Sequence, residues 1–213
     1  MELFLYSKQK DLYTFYNDRV RWVIVFIELR YKKFPVPLLN EIRAAQDHVT
    51  RCFEHDKSDN REYIESQIEM AQGHYMRCLL DGYKYIWYHF GAEIKKKYML
   101  ARLFGKLSDI NNGEFVVAMQ TLFRQSKKDN EQARLLETKD KAKSLDLYEK
   151  SIGALVKLDE LYQDNDTAIR WSVRKGMAMK AIYYLGWIIA LGFTIARYWD
   201  TLIQYFVSVQ KWF

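Results

Sequence analysis

From Ala181 to Ala196 the chain reads AIYYLGWIIALGFTIA, without one charged side chain. A run this apolar has two homes, a protein core or lipid. As a helix it rises roughly 24 Å, at 1.5 Å per residue. That is short of the ~20 residues that usually span a bilayer. The flanks supply the rest. Lys180 and Arg197 can send their charges outward while their stems extend the apolar length. Beyond Arg197 and Asp200 the chain turns apolar again, in TLIQYFVSV. Trp187, Trp199 and Trp212, with Tyr183, Tyr184, Tyr198 and Tyr205, suit the two membrane–water interfaces. Arg170, Arg174, Lys175 and Lys180 precede the run and few basic residues follow it, which places the N-terminal bulk in the cytoplasm. The competing reading is a buried helix of a soluble bundle.

The polar and small residues of this region are ordered. Gly186, Ala190, Thr194, Arg197, Thr201, Gln204, Ser208 and Lys211 recur at intervals of three or four, as on one face of a single long helix. Polar groups in lipid cost free energy unless they face protein or water. Several copies around an axis would turn this seam inward as a pore lining. The pairs Gly186/Ala190 and Gly192/Ala196 have the spacing that lets helices approach closely. They lie on different faces, as a ring requires when each helix touches two neighbours. Alternatively, the stretch from Arg197 onward is a surface helix at the far interface.

The remaining sequence reads as all-α: a cytoplasmic helical bundle over 1–167, then a juxtamembrane and transmembrane helix over 168–213. Two prolines and nine glycines in 213 residues leave little room for a turn-rich β fold. A first helix is expected from about Glu2 to Lys33, with Leu12, Phe15, Val20, Val23, Ile27 and Leu29 apolar, stopped by Phe34-Pro35-Val36-Pro37. WVIVFIEL at 22–29 is too short to span and reads as core. A second helix covers Leu38 to His55. A third starts near Arg61 and runs to about Leu107, burying Ile64, Ile68, Ala71, Tyr75, Cys78 and Ile86. SDINNG at 108–113 is a turn and QDND at 163–166 a hinge. A fourth helix begins at Glu114, and the polar stretch 125–143 is an exposed helix or a loop. Leu145, Tyr148, Ile152, Leu155 and Leu158 mark another buried stripe. The N-terminus lacks a signal-peptide pattern. Cys52 and Cys78 are too few for a disulfide framework and fit a reducing compartment.

With a formal charge of +6 the chain suits an anionic partner. Glu41, His48, Arg51 and His55 share one face of the second helix, with Arg43 and Asp47 beside it. His74, Arg77, Asp81, Lys84 and Tyr88 share one face of the third. Histidine, arginine, aspartate and tyrosine are types that bind anions or move protons, whereas a merely solvated face favours lysine, glutamate and glutamine. If the two helices are antiparallel neighbours, the stripes converge. The ligand-binding candidates are therefore Arg43, His48, Arg51, His74, Arg77, Asp81, Lys84 and Tyr88, interleaved with aromatic rings that can stack bases. The competing reading is a polar network satisfied between helices. His48 and His74 have no local carboxylate at metal-ligand spacing, and no cysteine or serine elbow appears. The expectation is a non-enzymatic chain without metal or cofactor.

Arg43-Ala-Ala-Gln-Asp47-His48 resembles the Arg-x4–6-His motif of HEPN ribonucleases, which are also small helical domains. Ala44 stands where that family usually has a polar residue. A membrane-tethered HEPN-like ribonuclease is thus one alternative, and a non-catalytic membrane anchor for a partner protein is another. As a whole, the helical domain, its acid–histidine–arginine face and the polar-seamed stem resemble membrane effectors of bacterial anti-phage, abortive-infection systems. The HalB-type channel subunits of Hailong defence are the nearest in type. Membrane accessory proteins of RNA-targeting CRISPR systems are similar in outline. The resemblance implies a homo-oligomeric ring of four or more subunits in the bacterial inner membrane. It also implies gating by an oligonucleotide or nucleotide ligand made by a partner nucleotidyltransferase. It supplies no binding residues.

Overall fold

A computed structural model describes residues 2–54, 60–201 and 203–204. Among these residues the chain is all-helical and has no strand. The helices are α1 (Glu2–Phe15), α2 (Arg21–Tyr31), α3 (Val36–Arg51), α4 (Arg61–Phe104), α5 (Glu114–Leu136), α6 (Lys141–Asp164) and α7 (Asp166–Arg197). A π-helical turn, Tyr16–Val20, joins α1 to α2, so the two form one continuous rod. The rod ends where Lys32 turns left-handed at φ 51° and donates its N–H to Glu28 O. Pro35, in extended conformation, opens α3 and accepts from the Leu38 and Leu39 amides.

Two compact units emerge. One comprises residues 1–95 with 121–159, and the other residues 96–120 with 160–213. α4, α5 and α6 each contribute residues to both units.

Side-chain pairings set the helix directions in the first unit. Glu41 meets His74, and seven residues further along α3 His48 meets Gln67, seven back along α4. The two helices are therefore antiparallel. Likewise Ser126 meets Ser151, and Ala133 O accepts from Ser144, making α5 and α6 antiparallel. The α1–α2 rod instead runs parallel to α4, through Lys8–Glu65, Tyr16–Tyr75 and Arg30–Glu93. Gly82 makes that approach possible: a Cβ there would lie 2.3 Å from Val23 Cγ1. The core holds Ile27, Ile64, Tyr75, Leu79, Tyr83, Ile86, Tyr148, Ile152 and Leu155. The expected stripes of α4 and α6 are buried throughout, but Leu29 on α2 is 76% exposed. The polar stretch of 125–143 is helical as far as Leu136 and mostly exposed, as one of the two expected readings had it, but it turns one face inward with Ser126, Asp129, Asn130 and Ala133. Small side chains there let α5 lie against α6, with Ser126, Ser151 and the Trp87 indole N–H bonded together.

In the second unit, the turn Leu107–Gly113 reverses the chain through Asn111, Asn112 and Gly113, all at positive φ. Asparagine and glycine tolerate this region best. Its small core is Ala101, Leu107, Ile110, Phe115, Met119 and Ile169. At the hinge, Asn165 donates its side-chain amide to Leu161 O and accepts the Ile169 amide. Gly176 brings α7 into backbone contact with the end of α4, where a Cβ would lie 1.7 Å from Phe104 O. Ile169 is the one buried residue of α7. The helix is long and apolar enough to cross a membrane, and none of its apolar window is buried.

Candidate functional site

The antiparallel pairing of α3 and α4 brings part of the expected face together. Glu41 Oε2 accepts from His74 Nδ1 at 2.8 Å and from Arg77 Nε at 3.0 Å. A neutral ring nitrogen cannot donate and accept at once. With Nδ1–H committed to the carboxylate, Arg77 Nη2, 2.7 Å from the same nitrogen, is held beside the ring by Glu41. Burial alone would raise the Glu41 carboxyl, yet the bonds from His74 and Arg77 bring it below its ordinary range. The His48 ring stacks on His74 at 5.2 Å, and its Nδ1 lies 2.8 Å from Gln67 Oε1. His48, Ser66, Glu69, Gly73, His74 and Arg77 line an open cleft of about 450 Å³. Seven-residue spacing, two helical turns, keeps Glu41 and His48 on one face of α3 and Gln67 and His74 on the facing side of α4, and that spacing is visible in the sequence.

The other candidates lie elsewhere. Lys84 bridges Asp81 at 3.1 Å and Glu137 at 2.8 Å. Its burial would lower the ammonium, but these two carboxylates raise it. Arg51 pairs with Asp47 along α3, Tyr88 is exposed against His89, and Arg43 is exposed. Arg43 and His48 point about 140° apart on the helix at 100° per residue. His55 lies outside the described residues. The eight ligand candidates therefore do not close on one pocket: His48, His74 and Arg77 share a cleft, and Asp81 and Lys84 belong to a separate ion-pair cluster. Cys52 and Cys78 are buried, and burial pushes the Cys78 thiol up to about 12, which keeps it protonated and unreactive at neutral pH.

A second cleft, of about 230 Å³, was not legible as a site in the sequence. Arg19 pairs with Glu149 at 2.6 Å, and the Tyr83 hydroxyl donates to the same oxygen at 2.8 Å. The only signal for it is an Asp18-Arg19 pair inside an apolar stripe, and the π-helical turn carries both residues.

Along α7, Gly186, Ala190, Thr194 and Arg197 share a face within one helix. Thr194 Oγ1 donates to Ala190 O, so its hydroxyl is satisfied inside the helix. At Tyr198 the backbone leaves helical geometry (φ −106°, ψ 15°). Thr201 and Gln204 lie beyond this break, so the seam is not one unbroken helix as expected. Ser208 and Lys211 lie outside the described residues. A Cβ added at Gly186 or Gly192 would meet nothing within 4 Å. Among the described residues no three His, Cys, Asp or Glu side chains gather as a metal site. No protein-family model, curated protein or solved structure matches the chain.

Proposed function

We propose that this chain is the subunit of a homo-oligomeric, channel-forming membrane effector of anti-phage defence, gated by an anionic nucleotide or oligonucleotide. In this reading α7 crosses the bacterial inner membrane, and the helical unit that carries α3 sits in the cytoplasm. The observation that carries it is the exposure of α7. A core helix of a soluble protein is covered by its own chain, whereas the apolar window of α7 has no cover at all. The open surfaces at Gly186 and Gly192 leave both small-residue pairs free to meet α7 helices of neighbouring subunits. The Glu41–His74–Arg77 cluster supports anion gating. Glu41 acts there as an internal anion, and a phosphate oxygen entering the cleft would compete with it for Arg77 and His74.

Purified protein in liposomes is expected to pass ions, and Thr194→Leu or Thr201→Leu to change the conductance. Glu41→Gln is expected to tighten binding of short oligonucleotides by freeing Arg77. Absence of ion flux under every ligand condition would sink the channel, and a dimeric mass in detergent would sink the ring.

A further inference from the structure

We propose that the cleft between α7 and the turn Leu107–Gly113 seats the phosphate of an anionic phospholipid, with the end of α4 entering the bilayer interface beside α7. The inference rests on α7 crossing the bilayer, and not on its forming a channel.

The depth of this region follows from Lys180. Its ammonium donates to Leu103 O at 2.8 Å and lies 5.4 Å from the Phe104 ring centroid. A helix C-terminus carries partial negative charge, so the end of α4 attracts this cation. The apolar part of α7 can then be counted from Gly176 to Ala196. That is about 21 residues, or roughly 31 Å, against a hydrocarbon thickness of ~30 Å. The span is long enough without any residue beyond Arg197.

Because Gly176 touches Phe104 O, the end of α4 lies level with the start of that span. There Met99, Leu100 and Leu103 are 58%, 50% and 61% exposed. In water such a patch is a liability, while at a lipid interface it is buried.

The cleft, of about 660 Å³, opens at the next level up and is lined by Lys106, Asp109, Asn111, Trp171, Ser172 and Lys175. Lys175 directly precedes Gly176, and Trp171 stands about 7 Å further along the axis. The headgroup layer is roughly 5–8 Å deep on each side, so the lining falls within it. Trp171 is 68% exposed, and tryptophan favours this layer. Asp109 holds Lys106 at 3.0 Å. Lys106 and Lys175 against Asp109 leave the lining with one net positive charge. Arg102 and Arg174 are exposed nearby. One phosphate monoanion balances the cleft.

Native mass spectrometry of the full chain, released from nanodiscs of phosphatidylglycerol mixed with phosphatidylcholine, tests this directly. Retention of phosphatidylglycerol is expected to exceed that of phosphatidylcholine. Each lysine near an anionic surface contributes about fivefold, so Lys106→Gln with Lys175→Gln together should lower the preference by about twenty-five-fold. Asp109→Asn should raise it, a gain that misfolding cannot produce. A fluorophore on Leu103→Cys should shift to the blue when anionic vesicles are added. Equal retention of the two lipids, an unchanged preference in the double variant, or a probe that stays aqueous would overturn the site. Lipid retention is read separately from ion flux: a chain that keeps the preference but passes no ions retains this site and loses the channel.

Discussion

Helices α4 and α7 are the longest described, at 44 and 32 residues, and they treat the same kinds of side chain in opposite ways. α4 turns Ile64, Ile68, Leu79, Ile86 and Phe90 inward, and its exposed apolar residues gather mainly at its end, at Met99, Leu100 and Leu103. α7 leaves Ile182, Leu185, Ile188 and Leu191 uncovered on every side. The two share an apolar content but not its period. A helical period of apolar residues calls for a partner on one face, which the chain supplies with α2, α3 and α6. Apolarity all round calls for an apolar surrounding, which the described residues do not supply.

The largest effects should separate along this line. Leu79→Ala empties a fully buried site in α4 and is expected to cost about 2–5 kcal/mol of folding stability, leaving membrane association unchanged. Leu191→Arg is expected to cost about 3 kcal/mol of insertion while the unfolding midpoint of the helical unit stays where it is. Chemical denaturation and vesicle flotation measure the two quantities. The contrast breaks if Leu191→Arg destabilises the bundle as much as Leu79→Ala does.

The glycines sharpen the same contrast at smaller scale. Gly82→Ala drives a Cβ into Val23, whose branched side chain has one favoured rotamer, and is expected to cost about 1–3 kcal/mol. Gly186→Ala meets nothing within the chain and should leave the unfolding midpoint alone. Gly186→Leu should instead shift the size of the assembly in detergent, read by light scattering. An unchanged assembly would mean that this face does not meet another subunit.

Helix ends were legible in the sequence because turn chemistry is local: the Pro35/Pro37 stop, the Asn-Asn-Gly reversal at 111–113 and the Asn165 hinge each act through their own backbone. The buried stripes of α4 and α6 were legible because their period is written in large apolar residues. The buried face of α5 was not, because it is written in Ser126, Asp129, Asn130 and Ala133. Ser126 and the Ala133 carbonyl go inside because Ser151 and Ser144 on α6 satisfy them, and Asp129 is bonded by Gln125 of its own helix. The π-helical turn left no signal, since Tyr16–Val20 contains neither glycine nor proline. The ligand face was half legible. Spacing along α4 predicted that His74, Arg77, Asp81, Lys84 and Tyr88 share a side, but it could not show that Glu137, just past the end of α5, claims Lys84.

Lys32 offers a milder test of how the rod against α4 ends. A side chain at φ 51° pays roughly 1 kcal/mol relative to glycine. Lys32→Gly is therefore expected to raise the denaturation midpoint by about that much, with no change in membrane association. A lower midpoint would mean that α2 does not end here.

The smallest effect concerns pH and again divides the two helices. Glu41 on α3 is tied to α4 through His74 and Arg77, and its folded pKa lies below the ordinary 4.5. A carboxyl of this kind contributes stability that is fully present above its unfolded pKa and is lost as the pH falls through the lower folded value. For a partly exposed cluster the contribution is under about 1 kcal/mol. Unfolding midpoints measured downward from pH 6 should therefore fall more steeply below pH 4.5 in the wild type than in Glu41→Gln. The apolar run of α7 carries no acidic side chain between Ala181 and Ala196, so membrane association over the same range should be identical in the two proteins. Identical acid profiles would show that His74 and Arg77 do not hold Glu41 in the folded chain, and α3 would then be fixed to α4 by its apolar face alone, through Leu38, Ala45 and Val49.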